Sequence, residues 1–337
     1  MHPLHARATV IDALQINNWN RTVVEESLAG GVSGVNVTVA VWEDPLETIR
    51  IISKWYEFVR ANADIVTLAT DVATLRAAKA AGKLAVLLGF QNTSSFGDDY
   101  RFVEVFHNLG VRIAQLTYNN QNAVGGSCYE PYDSGLTRFG ENIIAEMNRV
   151  GMVIDLSHVG NQTCIDAAKT SAQPVAITHA NPTWYFDGPR NKPQEVITEV
   201  TSRGGMIGTS MYPLVIGGAE ASLKGFAAMI VKLCDMVGVE HVGLGSDCTR
   251  NWGTDFLHWL RDGRWRRAPE GDISWPEWPS WFNQAADFPR ITEALLDAGL
   301  SEADVELVLG ENWLRYFETV FAAGTTALHS PSVSPTT

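Results

Sequence analysis

Residues 138–158 read RFGENIIAEMNRVGMVIDLSH, and the fold is decided in this stretch. Ile143, Ile144, Met147 and Val150 recur at the spacing of one helix face. Gly151 follows as a stop, because glycine takes the left-handed conformation that ends a helix without steric cost. Residues 152–156 are then almost entirely apolar, with no in-out alternation, as in a parallel strand covered on both faces. Just beyond that strand stands His158. A helix, a glycine, a buried strand and a polar residue at the strand's end make one unit of a parallel α/β protein.

The unit repeats in both directions. Comparable apolar runs lie at 9–11, 35–39, 85–88, 112–116, 174–178, 205–211 and 241–245, giving eight predicted strands. Helical patterns fall between them at 45–61, 71–81, 161–170, 193–203 and 222–237. Asp71 and Asn161 are placed to cap two of these, and Pro193 suits a first helical turn. No G-x-G-x-x-G follows the first strand, as an open doubly wound sheet would more often show. The chain is therefore predicted to be an α/β protein, a single (β/α)8 TIM barrel over residues 1–323.

One segment breaks the rhythm. Residues 249–287 read as an irregular insertion that holds six of the chain's eleven tryptophans, a content that argues for order. Because it leaves the eighth strand, it is predicted to lie over the barrel mouth, or to be buried in a homodimer contact. Residues 324–337 are predicted to be a disordered tail.

Bulk composition excludes several classes. A net charge of −13 opposes nucleic-acid binding, which needs clustered cations on one face. No run approaches the roughly 18 apolar residues of a membrane span, so no membrane partner is expected. The N-terminus has no apolar core of signal-peptide length, and the four cysteines show no C-x-x-C spacing. They are read as reduced thiols of a cytoplasmic protein.

Barrels place chemistry at the C-terminal ends of their strands. Those ends supply His158 after the fifth strand, His179 after the sixth and Asp247 after the eighth. Two imidazoles and a carboxylate converging on one point form a zinc-type ligand set. Trp19, Trp42 and Trp184 follow strand ends one, two and six, either packed under loops or forming a stacking wall for substrate. Cys128, Glu130 and Glu43 lie near the mouth, where an ordinary loop thiol and solvated carboxylates are the default.

Longer stretches carry a more specific signal. They are VIDALQ (10–15), GLTRFGENIIAEMNRVGMVIDLSHVG (135–160), ITHANP (177–182), GPRNKPQEV (188–196), GVEHVGLGSDCT (238–249) and DFPRITEALLDAGLSEADVELVLGENWLRYFETV (287–320). In this order, over roughly residues 8–322, the chain resembles the membrane dipeptidases of the amidohydrolase superfamily. The resemblance implies that His158 and His179 hold a metal and that Asp247 is the strand-eight aspartate. It also implies that Arg190 pairs with a substrate carboxylate, a task suited to a planar guanidinium.

Departures from the family pattern are equally informative. Where the family has Asp-Gly-His-x-Asp, this chain has Asp12-Ala13-Leu14-Gln15-Ile16. Where a bridging glutamate belongs, it has Gln91, and Tyr118 stands in place of a substrate-binding histidine. The resemblance thus implies at most one divalent ion, zinc by ligand type, held by His158, His179 and the Gln91 oxygen. Asp247 is then free to act as a general base. Gln15-Ile16-Asn17 also resembles a Gln-x-Asn found in single-metal deacetylases of the superfamily, in a register shifted by one residue. The leading expectation is a metal-assisted hydrolase of a small carboxylate-bearing substrate, with Tyr118, Trp19 and Trp184 lining the pocket. A metal-free binding protein and a lyase using Asp247 remain the alternatives.

Overall fold

Residues 138–158 fold as the sequence predicts. Arg138–Val150 is a helix whose N-cap, Thr137, accepts a hydrogen bond from the Gly140 backbone N–H at 3.0 Å. Gly151 closes it with φ 76°, and the strand Val153–Asp155 comes next. This computed structural model describes residues 1–327 apart from 265, 266 and 268–270, with the backbone alone for 325–327.

Nine strands are present among the described residues: β1 Val10–Gln15, β2 Val32–Ala40, β3 Val66–Leu68, β4 Leu84–Phe90, β5 Val111–Gln115, β6 Val153–Asp155, β7 Ala176–Ile177, β8 Met206–Thr209 and β9 Val242–Leu244. Eight of them run parallel in the order β1-β2-β4-β5-β6-β7-β8-β9. The ring closes just past β9, where Ile16 N–H reaches Cys248 O at 2.9 Å and Asp247 N–H reaches Leu14 O at 3.0 Å. The result is an α/β barrel of eight parallel strands, in agreement with the sequence. The extra strand, β3, lies along the N-terminal half of β4, below the point where β5 joins that edge. The surrounding run, residues 65–69 (IVTLA), is as apolar as those of the barrel strands, but it lies outside the eight runs expected from the sequence.

The predicted caps hold in part. Asp71 caps Val72–Ala80 by accepting the Thr74 N–H at 2.7 Å. Gly160, not Asn161, occupies the N-cap of Asn161–Thr170, and Pro193 is the N-cap of Gln194–Thr201 instead of a first-turn residue.

The tryptophan-rich insertion is not irregular throughout. It opens with a helix, Thr254–Asp262, and then runs back across the loops. Trp278 meets Tyr212 with ring centroids 5.7 Å apart, and Trp281 meets Phe226 at 5.3 Å. Contacts within the chain therefore cover these rings without a second subunit. Trp265 lies outside the described residues.

The C-terminal helix Asn312–Ala327 touches β1, β6 and β9 and buries Trp313, whose Nε1 donates to Leu244 O at 3.0 Å. Residues 324–327 of the expected tail continue this helix, and 328–337 lie outside the described residues. Among the described residues no helix is long and apolar enough to cross a membrane.

Candidate active site

The rim between β6 and β7 is organised by one buried carboxylate. Asp155 accepts from Ser157 Oγ at 2.6 Å, from Ser157 N at 3.0 Å, from Thr178 N at 3.0 Å and from Thr178 Oγ1 at 2.7 Å. Burial pushes its pKa up while these bonds to the charged form oppose the rise. The hydroxyl of Thr178 is spent on Asp155, so its oxygen accepts from His179 Nδ1, 2.7 Å away. That fixes the proton of His179 on Nδ1 and leaves Nε2 bare.

His158 is set in the same way from another loop. Its Nδ1 lies 2.8 Å from Asn119 Oδ1, an acceptor, so its Nε2 is bare too. The ring stacks on Tyr118 at 4.1 Å between centroids. Burial drives both histidines well below the ordinary imidazole range, and the positive charge of Arg190 adds to this. Both rings are therefore neutral, with Nε2 atoms 3.1 Å apart. Two facing lone pairs at that distance repel unless a cation lies between them. An ion about 2.0–2.1 Å from each nitrogen in tetrahedral geometry sets them roughly 3.3 Å apart, so the pair fits one divalent ion. Among the described residues no group of three or more His, Cys, Asp or Glu side chains is placed to hold a metal. A third protein donor must then be a neutral one. Gln91 is available: it lines the same pocket, its Nε2 donates to Thr38 Oγ1 at 2.8 Å, and its Oε1 takes no hydrogen bond from a described residue.

Asp247 projects from a left-handed backbone position, φ 58°. The close approach of the two rims sets its place, since a Cβ on Gly245 would sit 1.8 Å from Thr178 O. Its carboxylate takes no hydrogen bond from a described residue. Burial raises its pKa to about 7, with Arg190 opposing and Asp12 and Asp155 adding to the rise. Arg190 is itself buried, and it is anchored by Nη1 on Ser157 O and by Nη2 on His179 O at 3.1 Å.

Gln91, Tyr118, His158, Arg190 and Asp247 wall one pocket of about 410 Å³, and His179, fully buried and not part of that wall, holds its Nε2 3.1 Å from that of His158. The insertion helix contributes Leu257, Leu260, Arg261 and Asp262, and Trp275 is added by the returning stretch of loop. The insertion thus lies over the mouth, though only Trp275 of its described tryptophans lines this pocket. Tyr129, Tyr212, Arg261 and Asp262 were not singled out in the sequence. The spacing of Leu257, Leu260 and Arg261 in TDFLHWLRD is a helix-face pattern that could have revealed the last two.

Two expected lining residues are corrected. Trp19 turns away from the pocket toward the helix Pro45–Ala61, where it meets Trp55 edge-on at 5.9 Å. Trp184 lies outside the mouth, donating to Gln194 Oε1 at 3.1 Å with Lys232 Nζ 4.0 Å over its ring. Gln15 and Asn17 are committed to a chain of hydrogen bonds: Gln15 Nε2 donates to Asp12 and Asn17 Nδ2 to Gln15 Oε1, each at 2.8 Å. Leu14 is buried away from the pocket, whereas Ile16 lines it. Cys128 walls a different cavity, and burial raises its thiol pKa, unlike that of a reactive cysteine. Glu43 and Glu130 each accept backbone N–H groups of their own loops.

A parallel barrel with paired imidazoles, a carboxylate and a guanidinium at its strand ends belongs to the amidohydrolase-like class. More narrowly, the chain belongs to the membrane dipeptidase family (Peptidase family M19), whose pattern matches residues 9–254. It is 39% identical to an amidohydrolase from Pseudomonas aeruginosa whose crystal structure superposes with a TM-score of 0.90, covering 95% of this chain and 98% of that one. The dipeptidase aclJ of Aspergillus oryzae is 30% identical over 239 residues, 69% of this chain and 51% of that protein. The dipeptidase tcpJ of Claviceps purpurea is 26% identical over 285 residues, 83% of this chain and 61% of that protein. This chain therefore spans little more than half the length of those two relatives. Most of the insertion lies beyond the stretch that the family pattern matches.

Proposed function

We propose that this chain is a metal-assisted hydrolase of an amide or related bond in a small, carboxylate-bearing substrate. One divalent ion, zinc by donor type, is held by His158 and His179 with Gln91 as the neutral third donor. The observation that carries this reading is the pair of bare Nε2 atoms 3.1 Å apart, each ring locked from behind through Nδ1. An ion at that position supplies Lewis acidity for the scissile carbonyl. Arg190, held on two backbone carbonyls, orients the substrate carboxylate through its remaining N–H groups. Asp247, with a pKa near neutrality and no hydrogen-bond partner among the described residues to compete, takes the proton of the attacking water and returns it to the leaving amine. Tyr118 backs His158 and faces the substrate.

The test is metal analysis of protein purified without added zinc, paired with hydrolysis assays on dipeptides and N-acyl amino acids. About one equivalent, with turnover that chelation abolishes, is the expected result. Two equivalents would overturn the one-ion reading. Full turnover without metal would overturn the metal-assisted one, and tight substrate binding with no turnover in the metal-loaded protein would make the chain a binding protein.

A further inference from the structure

A second cavity, of about 390 Å³, lies beside the first and shares only Ile16 with it. The insertion helix Thr254–Asp262 is the partition: Leu257, Leu260 and Arg261 face the catalytic pocket, while Phe256 and Trp259 face the other side. The walls of this second cavity are aromatic, with Trp19 and Trp55 from the barrel side and Trp252, Phe256 and Trp259 from the insertion. They are held in place, since Trp252 Nε1 donates to Ile16 O at 2.7 Å and the Trp252 ring stacks on Phe256 at 3.6 Å.

Polar features of this cavity say what kind of ligand it suits. Asn17 is 4% exposed and lines it, and its Oδ1, like the Nε1 of Trp19 in the same wall, has no hydrogen-bond partner among the described residues. The orientation of that amide is dictated from below. Asp12 accepts from Gln15 Nε2, so Gln15 presents its oxygen to Asn17 Nδ2, and Asn17 is left with Oδ1 as the free atom. A buried acceptor without a donor costs about 1–3 kcal/mol, and a ligand N–H would remove that cost. Glu43 adds a negative charge to the wall, its Oε2 fixed by the N–H groups of Val41 and Trp42 at 2.7 and 3.0 Å. Lys54, the cation among the described lining residues, is solvent-exposed. Indole faces also attract cations through the ring quadrupole, and here Arg264 already lies 5.5 Å from the Trp259 ring centre.

We propose that this aromatic cavity binds a primary or secondary ammonium ion on a small aromatic or alkyl body, with an N–H on Asn17 Oδ1 and the cation against the indoles. It is a site separate from the hydrolytic one and does not depend on the function proposed for that pocket.

Benzylammonium is the probe, followed by tryptophan fluorescence and calorimetry on the intact protein. Saturable one-to-one binding is expected. Benzyltrimethylammonium, which keeps the charge and ring but has no N–H, should bind the unaltered protein about tenfold more weakly, the worth of one charge-assisted hydrogen bond. Asn17→Leu should weaken benzylammonium by a similar factor, and Asp247→Asn should leave it unchanged. Absence of saturable binding, equal affinity for the two ligands, or loss of binding in Asp247→Asn would each overturn the proposal, the last by moving the ligand into the catalytic pocket.

Discussion

Around β6 and β7 the barrel rim is polar and fully wired: Asp155 holds Thr178, Thr178 holds His179, and Asn119 holds His158, each through a short hydrogen bond. Around β1 the rim is apolar or self-satisfied. Leu14 and Ile16 are 1% and 5% exposed, Gln15 spends its amide on Asp12 and Asn17, and Asn17 keeps one unshared acceptor, Oδ1, with no second such atom beside it among the described residues. Both halves are buried, yet only one aims unshared lone pairs at a common point. Burial of polar residues at a strand end is therefore a poor guide to chemistry. What matters is whether the hydrogen bonds behind a side chain leave its working atom free.

The comparison breaks most sharply at Asp247, the group that stands between the two halves. Asp247→Asn should lower turnover about 10²–10⁴-fold while metal content stays unchanged. A variant with full activity would remove Asp247 from the chemistry. A double dissociation comes next. Leu14→Ala should cost about 2–5 kcal/mol of stability, measured by denaturant unfolding, and leave the metal in place. His158→Ala should lose the metal with little change in stability. Metal loss in the Leu14 variant would show that the apolar half takes part in binding.

The wiring itself is tested more gently. Asn119→Ala or Thr178→Val should weaken metal binding about 10–100-fold in competition with a chelator, because each frees an imidazole to rotate or change tautomer. The smallest effect is one of pH. In chelated protein the Asp247 carboxyl ionises near 7 when folded but near 3.8 when unfolded. Across that window the unfolded chain gives up its proton first, so stability falls as pH rises and then levels off above about 7. Asp247→Asn should remove this slope, giving a Tm gain over the parent that is larger at pH 8 than at pH 4. A constant difference across the range would contradict the raised pKa.

Much of the molecule was legible because its signals are local. Gly151, the largely apolar run before His158 and the similar run before His179 announce buried parallel strands and mark where each one ends. β3 has as clear a run, IVTLA at 65–69, but an eight-stranded barrel has no place for a ninth strand, and this one pairs with β4 alone. At the site, strand ends could be counted, so His158, His179 and Asp247 were found, and Arg190 came with the family resemblance. The direction a loop takes could not be counted. Trp19 stands four residues past β1 and was expected to face the substrate, but apolar surface on the helix Pro45–Ala61 draws it the other way. Arg261 and Asp262 were hidden for the converse reason: a segment dense in tryptophan reads as irregular until Leu257 and Leu260 are seen to share a face.

The seal of the barrel has a consequence in time. Asp12 is completely buried, and the groups that make its charge tolerable include the N–H and hydroxyl of Ser246, 234 residues further along the chain. On a ribosome adding about 5–20 residues per second, that partner arrives roughly 12 to 50 seconds after the aspartate. Until then the β1 edge has no neighbour on the β9 side, and water takes the place of Ser246 around the carboxylate. Closure of the ring then exchanges that water for the fixed N–H and hydroxyl of Ser246, a step that has to wait for the last strand.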